Sequence, residues 1–398
     1  MTDIAIAPRR YRRWRIFIAP VLLLTAALAW SAFWLYAASQ VDVQADAWRA
    51  REAKAGRVFD CAKRSVAGYP FRLEVTCDGA SVALVSQAAG QPASQPFTGK
   101  LGQILVLAQI YDPNKVIAEF TAPATLYDPA TQQSYAVNWA LGHASIAGLP
   151  FAPARVSVEF NDPTLKRVDG SAQVPLAQAR HAELHGRLAE GSAADRPVIE
   201  GVLQVGQGSI LGLHPLLAEP FDVGVRALVT GLKDFSPKPW PVRFRELQAA
   251  GGHVEITQSR VQQGDLVAVA AGTLGLSPNG RLEGELQMTV AGIEKVIPAL
   301  GIDKMLEDGV PQATLDKVAP GVKTQDLNNL FGALDRAIPG LGKVVKQNAA
   351  TVGVAAGLNA LGKEAELEGR KARTFPLRFV DGAVFLGPLK VAQTPPLF

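Results

Sequence analysis

Asp265–Ala291 reads DLVAVAAGTLGLSPNGRLEGELQMTVA. Two apolar-rich runs, Asp265–Leu276 and Arg281–Ala291, flank Pro278-Asn279-Gly280. Asn-Gly between two such runs favours a tight hairpin turn. In the second run Glu283 and Glu285 alternate with apolar and small residues, leaving one wet and one buried face. That is how a strand of an antiparallel sheet reads.

The same texture extends upstream. Phe71–Val75, Ser81–Ser86, Gln103–Gln109, Val116–Ala122, Ala124–Tyr127 and Ser134–Trp139 are short runs punctuated by Asp112-Pro113-Asn114, Ala122-Pro123 and Asp128-Pro129. Arg155–Phe160, Ala179–Arg187, Arg196–Gln207, Val223–Gly231, Pro241–Leu247 and Gly252–Gln258 continue the series. Regular spacing of this kind predicts an all-β body. Downstream the pattern turns helical. Ile293–Leu300 is a short apolar piece, Thr324–Ile338 has a cap and apolar residues at helical spacing, and Leu341–Leu361 is rich in Ala and Gly. Strands resume over Leu367–Phe385, with a turn at Asp381-Gly382. The fold class is therefore mainly β (α+β): antiparallel curved sheets or an open half-barrel, with a C-terminal helical pair.

Ahead of this body, Ile16–Ala38 runs 23 residues without a charge, enough to span a bilayer. Trp14 flanks one end and Trp34 and Tyr36 the other, as interfacial rings do. Arg9, Arg10, Arg12, Arg13 and Arg15 precede the span, which places the N-terminus in the cytoplasm and the body in the periplasm, anchored in the inner membrane. A cleaved signal peptide fits less well, because the apolar run is long and Tyr36 stands where a small residue is wanted. The formal net charge of +4 resides in residues 1–15, so the rest of the chain balances and has no footprint for nucleic acid. Ser39–Arg57 reads as a helix leaving the membrane.

Cys61 and Cys77, an even count in an exported body, predict one structural disulfide. The Gly68-Tyr69-Pro70 turn midway between them allows the chain to return. Catalytic signals are weak. His181-Ala182-Glu183-Leu184-His185 has Ala where a zinc-protease helix needs Glu, and it reads as a strand with two surface histidines. Gly206-Gln207-Gly208 with Gly212 lacks the spacing of a dinucleotide fingerprint. The same-face acids Glu283 and Glu285 read as the wet side of their strand. No catalytic, cofactor or metal residues are assigned, and no cofactor is expected.

Cys61–Asp78, CAKRSVAGYPFRLEVTCD, together with the arginine-rich tail, the anchor and Trp48, resembles the DUF2125 family of alphaproteobacterial membrane-anchored proteins. Gly68-Tyr69-Pro70-Phe71-Arg72 is the specific part. Phe375-Pro376-Leu377-Arg378, Asp381-Gly382 and Leu386-Gly387-Pro388 are also similar to that family. The resemblance implies a periplasmic body and no particular activity. At the level of fold, Ala271–Leu276 through Gly280–Leu286 resembles the Gly-Leu strands of AsmA-like envelope proteins. That likeness implies an apolar groove that conveys lipid.

The expected organisation is a basic tail (1–15), an anchor (16–38), a membrane-proximal helix (39–57), a β body (58–292), a helical segment (293–366) and C-terminal strands (367–398). Gly148-Leu149-Pro150-Phe151 echoes Gly68-Tyr69-Pro70-Phe71. This leaves two readings open: two related units starting near 58 and 141, or chance. For function the expectation is a non-enzymatic envelope protein with lipid in an apolar β groove. The alternatives are a scaffold for other envelope proteins, and a hydrolase of envelope glycans or lipids.

Overall fold

The computed structural model describes residues 14, 17–84, 96–129, 131–149, 153–193, 195–212, 215–234, 240–292, 362–386 and 389–398. It opens with helix α1 (Ile18–Lys54). At 1.5 Å per residue its 37 residues reach about 55 Å, well beyond the roughly 30 Å of a hydrocarbon core. Pro20 falls in the first turn, where its missing N–H costs nothing. Arg51 and Lys54 in the last turn suit the negative end of the helix dipole, and Gly56 at φ +78° ends it. The anchor and the membrane-proximal helix are thus one element. It is long and apolar enough to cross a membrane.

The sheet follows chain order. β1 (Arg57–Ala67), β2 (Arg72–Leu84), β3 (Phe97–Gln109) and β4 (Asp112–Asp128) pair antiparallel in sequence. The next three strands are each interrupted once. They are β5 (Gln133–Asn138) with β6 (Leu141–Ala147), β7 (Arg155–Asn161) with β8 (Thr164–Asp169), and β9 (Ala172–Gln178) with β10 (His181–Leu188). β4 pairs with β5 and β6, β6 with β7, β5 with β8, β7 with β10, and β8 with β9. β11 (Ile199–Ile210) takes up both β10 and β9 and leads on to β12 (Phe221–Val229), β13 (Val254–Gln263), β14 (Leu266–Leu276) and β15 (Leu282–Ala291). Then comes β17 (Arg370–Val380), whose far edge carries both β16 (Lys363–Leu367) and β18 (Ala383–Leu386). β19 (Leu389–Gln393) closes the meander. The sheet curls into a ring-like partial barrel, and among the described residues no ladder joins β1 to β19.

Residues paired across an antiparallel ladder share a face, so the register sorts the side chains. Leu184 of β10 pairs with Val158 and Leu203, Leu203 pairs with Val225, and Val156 pairs with Ile146. One face is apolar from strand to strand, while the other carries His143, Glu159, Glu183, Glu200 and Arg226.

Several sequence expectations need correction. Ala122-Pro123 does not break a strand but lies within β4, whereas Asp112-Pro113-Asn114 opens β4 just after the chain turns from β3. Pro123 falls where the ladder shifts register, between Leu101 and Gln103 on one side, and where β5 gives way to β6 on the other. A proline is tolerated at such a bulge because no ladder bond needs its nitrogen. Pro241–Leu247 is not a strand but most of helix α3 (Trp240–Ala249). Val242 and Phe244 alternate, but Pro241 suits a first helical turn, and Arg243 pairs with Glu246 at i, i+3 across 2.8 Å. A short α2 (Pro215–Ala218) precedes β12. The helices expected at 293–300, 324–338 and 341–361, and the basic tail with Arg9, Arg10, Arg12, Arg13 and Arg15, lie outside the described residues.

Candidate functional site

The turn between β1 and β2 is clamped to α1. Trp30 Nε1 donates to the Pro70 carbonyl at 2.8 Å, and Trp34 Nε1 to the Arg72 carbonyl at 2.9 Å. Ser31 and the Tyr69 hydroxyl are 2.8 Å apart. Trp34 is buried and meets the Tyr69 ring edge-on at 5.6 Å; Trp30 packs on Phe71 at 6.4 Å. Gly68 at φ +100° opens the turn, and a Cβ there would stand 2.7 Å from the Arg72 oxygen. Only glycine fits that position. Gly68, Tyr69, Pro70 and Phe71 therefore lie against the apolar part of α1.

The adjoining turns lie along the same edge. Ile110 N–H bonds to the Phe71 carbonyl, and Gly148 N–H to the Asn114 carbonyl. Tyr69, Phe71 and Tyr111 are exposed along it. Gly148, the first residue of the second Gly-x-Pro-Phe stretch, has φ +104° and lies at this same end; Pro150 and Phe151 lie outside the described residues.

An apolar track leads away from this edge. Leu73, Val75 and Cys77 of β2 face Ala108, Val106 and Ile104 of β3, which face Val116, Ala118 and Phe120 of β4. Further along, α1 lies over the same face and encloses a groove of about 420 Å³. Trp48 packs against Phe59, the rings tilted and 4.8 Å apart, to form one wall, and Val82, Leu101, Ile104 and Leu126 form the floor. Charged side chains hold α1 in place. Arg64 reaches Asp42 at 2.7 Å and Asp46 at 3.1 Å, and Arg49 donates to the Phe59 carbonyl and pairs with Asp60 at 2.5 Å. Cys61 and Cys77 line the groove at disulfide-bonding distance, with Cα atoms 5.7 Å apart. That pair suits an oxidising compartment.

The opposite face carries the histidines that the sequence left on a strand surface. His181, Glu183 and His185 alternate along β10 and so project to one side. Glu183 Oε2 lies 3.2 Å from His181 Nε2 and 3.1 Å from His185 Nε2. Across the ladder Glu159 stands opposite Glu183, and His143, opposite Glu159, contacts it at 3.2 Å. Burial pushes the Glu183 carboxyl up, but the hydrogen bonds and charges of the two histidines outweigh it, and the net result is below the usual carboxylate range. This gathering was missed from sequence because Glu159 and His143 come from other strands. The signal available was the i, i+2, i+4 spacing of 181, 183 and 185. Glu283 and Glu285 share the polar face of β15, and with Gln248 and His253 they border a separate depression of about 710 Å³.

Over residues 34–395 the chain matches the family described as "Uncharacterized protein conserved in bacteria (DUF2125)". No curated protein matches it.

Proposed function

The chain belongs to the DUF2125 family, and we propose that it is a non-enzymatic, inner-membrane-anchored protein that takes lipid from the membrane onto the apolar face of its sheet. The reading rests on one observation. The turn at Gly68–Phe71 is hydrogen-bonded to the anchor within its apolar span, and an apolar track runs from that turn into the groove beneath α1. With the arginines on the cytoplasmic side, Trp30 and Trp34 fall in the periplasmic leaflet, and the exposed Tyr69, Phe71 and Tyr111 meet the headgroup region, where amphipathic rings are favoured. An acyl chain leaving that leaflet then finds apolar side chains on β2, β3 and β4 without crossing water. Burying its methylenes there is worth about 0.8 kcal/mol each.

The test uses the full chain in native-lipid discs. A photoreactive side chain is placed at Leu101 or Val82 in the groove, and as a control at Thr125 on the other face of β4. Phospholipid adducts at 101 and 82 but not at 125 support the reading. Adducts of a second protein at 101 and 82 would replace it with the scaffold reading, and equal lipid labelling at all three positions would sink the groove.

A further inference from the structure

The cluster on the polar face of β6, β7 and β10 has no part in the lipid reading and carries a separate one. We propose that Glu159, Glu183 and His185 form a binding site for a divalent cation of the zinc class, with His143 and His181 at its margins. One ligand atom from each of the three lies within 4.8 Å of the others. In a tetrahedral site with bonds of about 2.0–2.1 Å, ligand atoms sit roughly 3.4 Å apart. Small side-chain rotations therefore suffice to bring the three to a common metal.

The framework is rigid and its chemistry is selective. The three residues stand on two adjacent, directly paired strands, with Glu159 opposite Glu183 and His185 opposite Ser157. Like charges directly opposed across a ladder are destabilising. Here the ion-pair contacts of both carboxylates are to the imidazoles of His143, His181 and His185. A cation between the carboxylates removes that conflict. The imidazoles are also aimed. His185 Nδ1 is held by the Ser157 hydroxyl at 2.8 Å and His181 Nδ1 by the Asn161 side-chain oxygen at 2.7 Å, and each ring turns its Nε2 to Glu183. Fixing one ring nitrogen so that the other faces the metal is what outer-shell partners of ligating histidines do. Mixed imidazole and carboxylate donors suit zinc-class ions over calcium or magnesium, which prefer oxygen alone.

The full-length protein in detergent, stripped with chelator, is titrated calorimetrically with Zn²⁺, and separately with Mg²⁺. The expected result is one Zn²⁺ per chain, no heat with Mg²⁺, and a Co²⁺-loaded form with visible bands of a tetrahedral ion. Glu159→Gln with Glu183→Gln keeps the shape and removes both charges, so it should weaken Zn²⁺ binding at least tenfold with unchanged circular dichroism. His185→Gln serves as an independent variant should the double substitution unfold. His253→Ala, just ahead of β13 and outside the cluster, should bind as wild type. Absence of Zn²⁺ binding, or binding unaltered in folded E159Q/E183Q and H185Q chains, overturns the proposal.

Discussion

Two regions of one apolar face behave differently. On β15 and β17 the face is closed: Phe375 is 1% exposed and Leu286 8%. On β10 and β11 the equivalent positions are open: Leu184 is 53% exposed and Leu203 40%. The sequence pattern is the same alternation in both places. What differs is the covering. Phe375 packs beneath Gly362, where an added Cβ would stand 2.6 Å from its ring, whereas among the described residues Leu184 and Leu203 pair across the ladder and stay exposed. Alternation therefore specifies a side but not whether that side becomes core or binding surface. In a sheet open at its edges, both outcomes occur in one layer.

Substitutions in the two regions should separate the closed end of this face from the open one. Phe375→Ala should cost the most, about 3–5 kcal/mol, because it leaves a cavity in a packed site. Urea unfolding of the detergent-solubilised chain measures it, and a loss under 1 kcal/mol would mean that this end is not a core. Cys61→Ser should follow at about 3 kcal/mol, the worth of closing a loop of this length. A melting temperature equal to wild type without reductant would remove the cross-link from the account. Leu184→Asn, on the open region, should change stability by less than about 1 kcal/mol, as surface substitutions do. A large loss there would show that the face is covered after all.

The smallest effect concerns the other side of β10. The carboxyl of Glu183 lies below its ordinary value, so its contribution to stability is present above the unfolded-state pKa of about 4.3 and is lost as pH falls through the lower, folded one. Glu183→Gln should flatten the acid limb of a stability-against-pH curve and leave the neutral limb unchanged. A curve that keeps its acid limb in the variant would show that other carboxylates set it.

Much of the architecture was legible in the residues. The charge-free run ending near Trp34 and Tyr36, the Asn279-Gly280 turn, and the alternation around Glu283 and Glu285 each carry a local signal that tertiary packing did not override. Pro123 misled because a proline breaks a strand only where its nitrogen is needed, and the register shift that spares it belongs to β3 and β5–β6. β1 is less legible as a strand: Arg57 falls in the expected membrane-proximal helix and 58–67 in the expected β body, but its residues lack the apolar alternation that marks a strand; its partners are α1 and β2. The groove was the least legible feature. Trp48 and Phe59 are far from Leu101 and Leu126 in sequence, and nothing in any one segment announces that a helix will lie over the strands.

The chain-ordered meander has a further consequence, for biogenesis. Each strand up to β15 finds a partner in chain that precedes it, so pairing can advance as the chain lengthens. Non-local pairing is what slows β proteins and leaves open edges to aggregate. Here α1 is present from the start as a fixed template for β1, and the Cys61–Cys77 cross-link would fasten the first hairpin before the later strands arrive. Assembly then grows in one direction away from α1, and the advancing edge at any moment is that of the newest strand.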